Sequence, residues 1–191
     1  MLGFRPRFLK PRIALLEGLT DPICGLSMGK TAENLAREFG ISRAAQDAYS
    51  LESHQRAAKS AALLREETFV TIAGSQSVRD DTAVRPNQTA AALSRLRPVF
   101  TRSYGTVTAG NACAVTDGAV ALLAANPNLV PSGISPLGQV RDSITVGLSP
   151  ERMGLGPIFA ISQLLERNQL ELSDVDLFEI NEAFAVVTMA A

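Results

Sequence analysis

Histidine occurs once in the 191 residues, as His54, and cysteine only twice, as Cys24 and Cys113. Two cysteines without a close pairing motif exclude a disulfide-built scaffold and fit a reducing compartment. An excess of one charge is also missing, because 18 basic and 19 acidic side chains leave a formal net charge of -1. No global field recruits nucleic acid or an anionic membrane, so an anionic ligand must meet a local patch. No stretch approaches the roughly 20 apolar residues of a membrane-crossing helix. What is there is ordinary globular material: 46% hydrophobic and 19% charged residues, enough for one large core or two modest ones. These features predict a cytoplasmic protein or, in a eukaryotic cell, one of an organelle matrix.

Arg5, Arg7, Lys10 and Arg12 precede a short apolar run at 13–16. Pro6 and Pro11 interrupt any amphipathic helix, and the run is too short for a signal-peptide core, so a solvated arm is expected. In TAENLAREFG, Thr31 is the expected N-cap, Leu35 and Phe39 lie four apart, and Gly40 marks the stop of a short helix. Ser42 offers a second cap. Ala44, Ala48, Leu51, Ala58 and Ala62 then share one face, with Gln55 the polar exception, predicting a helix to about residue 64 that packs closely through alanine. The pattern weakens over 66–88, where Phe69, Val70 and Ile72 suggest a short strand before a turn-rich surface stretch containing Arg79 and Arg85.

The second half reads differently. The continuous apolar run 119–124 follows the turn signal Asp117–Gly118 and predicts a strand buried on both faces. Residues 126–133, rich in Asn, Pro, Ser and Gly, mark a boundary. Beyond it come a strand within 137–146, a helix over 157–167 and a strand over 176–180. Pro157 suits the first helical position, and Ile158, Ile161, Leu164 and Leu165 form the stripe to be buried. Strand, helix, strand implies a parallel pair with a right-handed crossover, hence an α/β architecture.

The stretch FEINEAFAV at 178–186 places a neutral amide and a carboxylate where the next helix is due to begin. Two readings of Asn181 and Glu182 stand side by side. Asn is a preferred N-cap and Glu suits the positive end of a helix dipole. Alternatively, Asn181 stands at the carboxyl edge of a parallel sheet, where ligands gather.

The ordered set GLTDPICGLSMGKTAENLA (18–36), SRAAQDAYSLESHQRAA (42–58), LRPVF (96–100), GTVTAGNACAVTDGA (105–119), MGLGP (153–157) and FEINEAFA (178–185) resembles the thiolase family, enzymes that make or cleave 3-ketoacyl-coenzyme A. The arm 1–12 and the stretch 65–90 match poorly. The resemblance implies a partial layered thiolase-like α/β fold. Residues 1–126 belong to the N-terminal half, mostly its coenzyme A-holding loop region (1–100), and 132–191 begin the C-terminal half. The family's asparagine maps onto Asn181, which orients a water that hydrogen-bonds a thioester carbonyl oxygen. A neutral amide suits that task, since a carboxylate would repel the enolate charge gathering there.

On the same resemblance Ala109, Gly110 and Cys113 line the pantetheine arm of coenzyme A. Gly105 and Gly110 would let the backbone approach it closely, although a tight turn explains them equally well. Leu19, Met28, Met153 and Phe184 map onto apolar contacts around the same tunnel; by residue type alone all four are core residues. Arg85 matches an arginine near the nucleotide end, although most arginines are surface residues without a specific ligand. Cys113 and Ala92 stand where serine is common, and Ser27 where some members have histidine.

The family's nucleophilic cysteine, its Gly-His-Pro histidine and its second cysteine have no counterpart. Cys24 and Cys113 fall in other motifs, and His54 is expected on a helix surface. The helix starting near Glu182 shows no stop signal by Ala191, so the sequence is expected to be the middle of a longer thiolase and inactive alone. Two functions follow as expectations. One is a thiolase acyltransferase, converting 3-ketoacyl-CoA and CoA to acyl-CoA and acetyl-CoA or running the reverse Claisen condensation. The other is a non-catalytic binder of acyl-CoA or lipid. Coenzyme A is a substrate in the first case, no tightly bound cofactor or metal is implied, and full-length members form homo-oligomers.

Overall fold

The computed structural model describes residues 13–191; the basic arm lies outside them. Helix α1 spans Ala14–Gly18, α2 Met28–Glu38, α3 Arg43–Lys59, α4 Ala61–Glu67 and α5 Ala90–Ser94. After a long irregular stretch come α6, Gly156–Asn168, and α7, Ala185–Ala190. Among the described residues the single sheet is a hairpin of β1, Thr71–Ala73, and β2, Gln76–Val78. It takes in Ile72 but not Phe69 or Val70.

Helix α2 begins one turn earlier than Thr31 suggests. Ser27 is its N-cap, accepting from the Lys30 N–H at 3.4 Å, while the Thr31 hydroxyl donates to the Met28 carbonyl at 2.7 Å from inside the first turn. The stop falls as read: Gly40 takes the left-handed conformation, φ +64°, and the Ile41 N–H returns to the Ala36 carbonyl at 2.9 Å. Ser42 caps α3, accepting from the Ala45 N–H. The helix pauses at Ser60 and resumes as α4.

The inward face of α3 is not the alanine stripe. Its buried residues are Gln46, Asp47 and Ser50, whereas Ala44, Ala48 and Ala62 are exposed. The reason is local: α3 faces residues 105–111, where Gln46 donates to the Thr106 hydroxyl at 3.0 Å and Asp47 accepts from the Asn111 amide at 3.0 Å, bonds that methyls cannot supply.

The core joins α2, the 3-10 turn Pro150–Leu155 and α7. Ala32, Leu35, Ala36, Val107, Leu155, Phe184, Val186 and Val187 form one buried cluster. Gly154 lets these elements meet, because a Cβ there would stand 2.7 Å from a Leu35 methyl and 2.9 Å from a Val187 methyl. Gly29 does the same for α2 and Phe100.

The strands expected at 119–124, 137–146 and 176–180 are not formed, and neither is their parallel pair. These residues are extended or irregular, with Leu123 98% and Leu177 78% exposed. A strand exists only through its neighbours, and none of the described residues pairs with these segments. Helix α6 forms with Pro157 in its first turn, yet its stripe of Ile158, Ile161, Leu164 and Leu165 is only half-buried, because no sheet lies beneath it.

Two outcomes follow. Gly29→Ala puts a methyl about 2.1 Å from the Phe100 ring and should cost about 1–3 kcal/mol in urea unfolding, as overpacking does. Asp142 joins its segment to α6 through the Arg167 guanidinium and the Asn168 amide, which hold its carboxyl down at about 2. That contribution is complete above the ordinary carboxylate range and is lost as pH falls through about 2. Replacing Arg167 by Gln should raise the Asp142 midpoint toward that of an ordinary aspartate in a carboxyl NMR titration.

Candidate functional site

The segment 105–113 owes its shape to buried polar side chains. Glu33 on α2, 5% exposed, accepts from the backbone N–H of Thr106 at 2.9 Å, that of Val107 at 3.0 Å and the Thr106 hydroxyl at 3.1 Å. Gly105 makes room for this carboxylate: a Cβ there would lie 2.5 Å from Glu33 Oε1 and 2.3 Å from the Thr101 carbonyl. At Gly110 a Cβ would lie 2.5 Å from a methyl of Leu93 and 2.5 Å from a methyl of Leu96. Protein packing alone thus accounts for a glycine at 105, where a side chain would meet backbone, and crowds one at 110.

From the other side, Asn111 Nδ2 donates to Asp47 on α3 at 3.0 Å and to the Thr106 carbonyl at 3.0 Å, while its Oδ1 accepts from the Thr108 N–H at 2.7 Å. Arg43 pairs with Asp47 at 2.8 Å and donates to the carbonyls of Leu93 and Leu96. The polar face of α3 is thus a mould for this loop.

Its far end is stitched to the motif before α7. The Cys113 N–H donates to the Ala183 carbonyl at 2.9 Å, and the Ala185 N–H donates to the Asn111 carbonyl at 3.0 Å. This short antiparallel bridge brings Asn181 to the mouth of an open cleft of about 510 Å³, which residues 109–116, 81–85 and one face of α3 also line.

Of the candidate residues, Asn181, Arg85, Ala109, Gly110 and Cys113 share this cleft. Asn181 is exposed, and its amide makes no hydrogen bond to the described residues. It does not cap α7, whose N-cap is Phe184. Cys113 is an exposed free thiol. Leu19, Met28, Met153 and Phe184 lie outside the lining of the cleft. Leu19 follows α1 and accepts from the Met28 N–H; Met28 packs on the core; Met153 is exposed in the 3-10 turn. Phe184 is buried, with its ring edge-on to Phe100 at 6.2 Å.

Two residues are placed differently from the sequence reading. His54 is half-buried in the cleft wall, and its Nδ1 accepts the Arg85 N–H at 3.3 Å, tying residues 81–85 to α3. Glu182 is not a helix-start residue; it accepts from the Tyr49 hydroxyl at 2.5 Å and from the Ser53 hydroxyl at 2.7 Å. Partial burial, and next the Glu182 carboxylate, push the Tyr49 phenol above its usual range. Tyr49 and Ser53 were signalled in the sequence only by their spacing of four on α3.

The N-terminal thiolase domain model matches residues 9–127, and the C-terminal thiolase domain model matches 134–191. The chain belongs to the thiolase family. It is 42% identical over 166 residues to the peroxisomal 3-ketoacyl-CoA thiolase of Saccharomyces cerevisiae, covering 85% of this chain and 40% of that protein. It is 40% identical over 192 residues to a Bacillus subtilis 3-ketoacyl-CoA thiolase, covering 92% and 48%. Human mitochondrial 3-ketoacyl-CoA thiolase in complex with CoA superposes with a TM-score of 0.85 at 38% identity, over 93% of this chain and 45% of that one. The fold is therefore a partial thiolase fold, in a chain that spans about half the length of the curated relatives it matches.

Since Glu33 and Gly105 form one joint, Glu33→Gln should lower unfolding stability by about 1.5–3 kcal/mol, the usual worth of a charge-assisted hydrogen bond. Gly105→Ala should do comparable damage, and the double variant should cost clearly less than the sum of the two.

Proposed function

We propose that this chain contributes the coenzyme A cleft and the Asn181 amide of a thiolase-type acyltransferase, which converts 3-ketoacyl-CoA and CoA to acyl-CoA and acetyl-CoA or runs the reverse condensation. The observation that carries this is the bridge between 111–113 and 183–185, which sets beside the 109–113 rim a neutral amide that pairs with none of the described residues. A carbon next to a thioester gives up a proton only if donors await the oxygen where charge accumulates. Asn181 Nδ2 can serve, directly or through a water, and as a neutral group it adds no opposing charge. The exposed Arg85 side chain at the other border suits an adenine face or a phosphate. Ala109, Gly110 and Cys113 would flank the pantetheine arm. Leu19, Met28, Met153 and Phe184 would act as apolar support behind the tunnel.

Residues 1–126 are assigned to the N-terminal half and 132–191 to the C-terminal half, supported by the changeover of the two domain matches between 127 and 134. The nucleophile is assigned to residues outside these 191, because neither cysteine fits the family's catalytic positions. Related proteins carry peroxisomal and mitochondrial names and one solved relative is described as dimeric, which favours an organelle-matrix or cytoplasmic homo-oligomer for the whole enzyme.

The 191-residue chain should bind acetoacetyl-CoA in calorimetry yet show no thiolysis. Turnover by the chain alone would overturn the assignment of the nucleophile. In a complete enzyme containing these residues, Asn181→Ala should lower kcat by about 10²-fold or more; an unchanged kcat would remove Asn181 from the reaction.

A further inference from the structure

Asn181 is held from its C-terminal side by the backbone bridge, but 176–180 before it is unpaired. Something else must fix the angle at which its amide enters the cleft. Glu182 is the neighbouring side chain, and each of its carboxylate oxygens receives one hydroxyl. Tyr49 donates to Oε1 at 2.5 Å and Ser53 to Oε2 at 2.7 Å. The two donors are one helical turn apart on α3 and therefore present on one face. The same helix carries Asp47, which anchors Asn111, so α3 holds both walls of the mouth.

We propose that Glu182 is a positioning residue, gripped by the Tyr49 and Ser53 hydroxyls so that the preceding Asn181 amide is aimed over the 109–113 rim. That Asn181 serves a thioester rests on the function proposed above; the grip itself stands on the contacts alone. A carboxylate suits the task better than an amide, since both oxygens accept and both bonds are charge-assisted. The two O–H donors also partly neutralise a negative charge that would otherwise oppose an enolate next door. Around Tyr49 the facing charged groups are Glu182 and Arg56, which act on the phenol in opposite directions, Glu182 upward and Arg56 downward.

The test uses the 191-residue chain. In an ultraviolet titration with Tyr49→Phe as the blank, Glu182→Ala should bring the Tyr49 midpoint down toward that of a free phenol. In ¹⁵N NMR the Asn181 side-chain amide, assigned through Asn181→Ala, should move in Tyr49→Phe/Ser53→Ala. Affinity for acetoacetyl-CoA should fall about tenfold in that double variant, the loss of roughly one charge-assisted hydrogen bond. Affinity for free CoA, which has no thioester carbonyl, should change less than about twofold on the same reasoning. Ser53→Thr, which keeps a hydroxyl, should restore the wild-type resonance when Tyr49 is intact. An Asn181 resonance that stays put in the folded double variant, or equal losses for the two ligands, would overturn the proposal. If the double variant does not fold, Ser53→Ala alone, at a half-buried position, decides by the same resonance. If the wild-type chain binds neither ligand, the functional reading fails, while the NMR shift still decides the grip.

Discussion

The site depends on one buried carboxylate. Glu33 has left water for a place between α2 and the backbone of residues 106–107, and desolvating a charge costs several kcal/mol unless donors replace the lost hydration. Two main-chain N–H groups and a hydroxyl do so. The exchange works in both directions. The loop has no regular secondary structure and would leave its own N–H groups orphaned against the helix without that acceptor. Neither partner is stable in place alone, and Gly105 is the residue whose missing side chain allows them to meet.

From that joint the geometry runs outward in short steps. The loop, fixed by Glu33 at 106–107 and by Asn111 against Asp47, offers Asn111 and Cys113 as a backbone edge. Residues 183–185 pair with this edge, and Phe184 turns inward to the core that α2 and α7 share. Helices α2 and α3 are thus less a scaffold beneath the cleft than the source of its shape. An apolar face on α3 would have packed well but left the loop unsatisfied, which explains why Gln46 and Asp47 point inward while Ala44 and Ala48 stay exposed.

Local signals were legible in the sequence. Gly40, Ser42 and Pro157 do their work within one turn of themselves; the structure uses the first two as read and sets Pro157 one residue inside the start of α6. Thr31 misled because Ser27 supplies an equally good oxygen four residues earlier, and the helix takes the first cap that lets Gly29 and Ala32 reach the core. The strands at 119–124, 137–146 and 176–180 could not be settled from their own residues, since a ladder is a relation between segments. The 3.6-residue period likewise showed which α3 residues share a face but not which face the loop would demand. In the site, the motif gave Asn181, while the partners of Glu182 and His54 lie 133 and 31 residues away in the chain and left no local trace.

Cys113 shows how such a cleft tolerates a change of side chain. Its backbone does the structural work, donating to the Ala183 carbonyl, and its thiol is exposed. A serine at that place would add a stronger hydroxyl donor toward the cleft but would leave the bridge untouched, because the bridge uses only main-chain groups. The same separation holds at Ala185, whose N–H completes the bridge while its methyl is buried. Asn181 is the opposite case. Its side chain pairs with none of the described residues, so their hydrogen bonding gives no reason for an amide there; the proposed role at a thioester oxygen is what would give one.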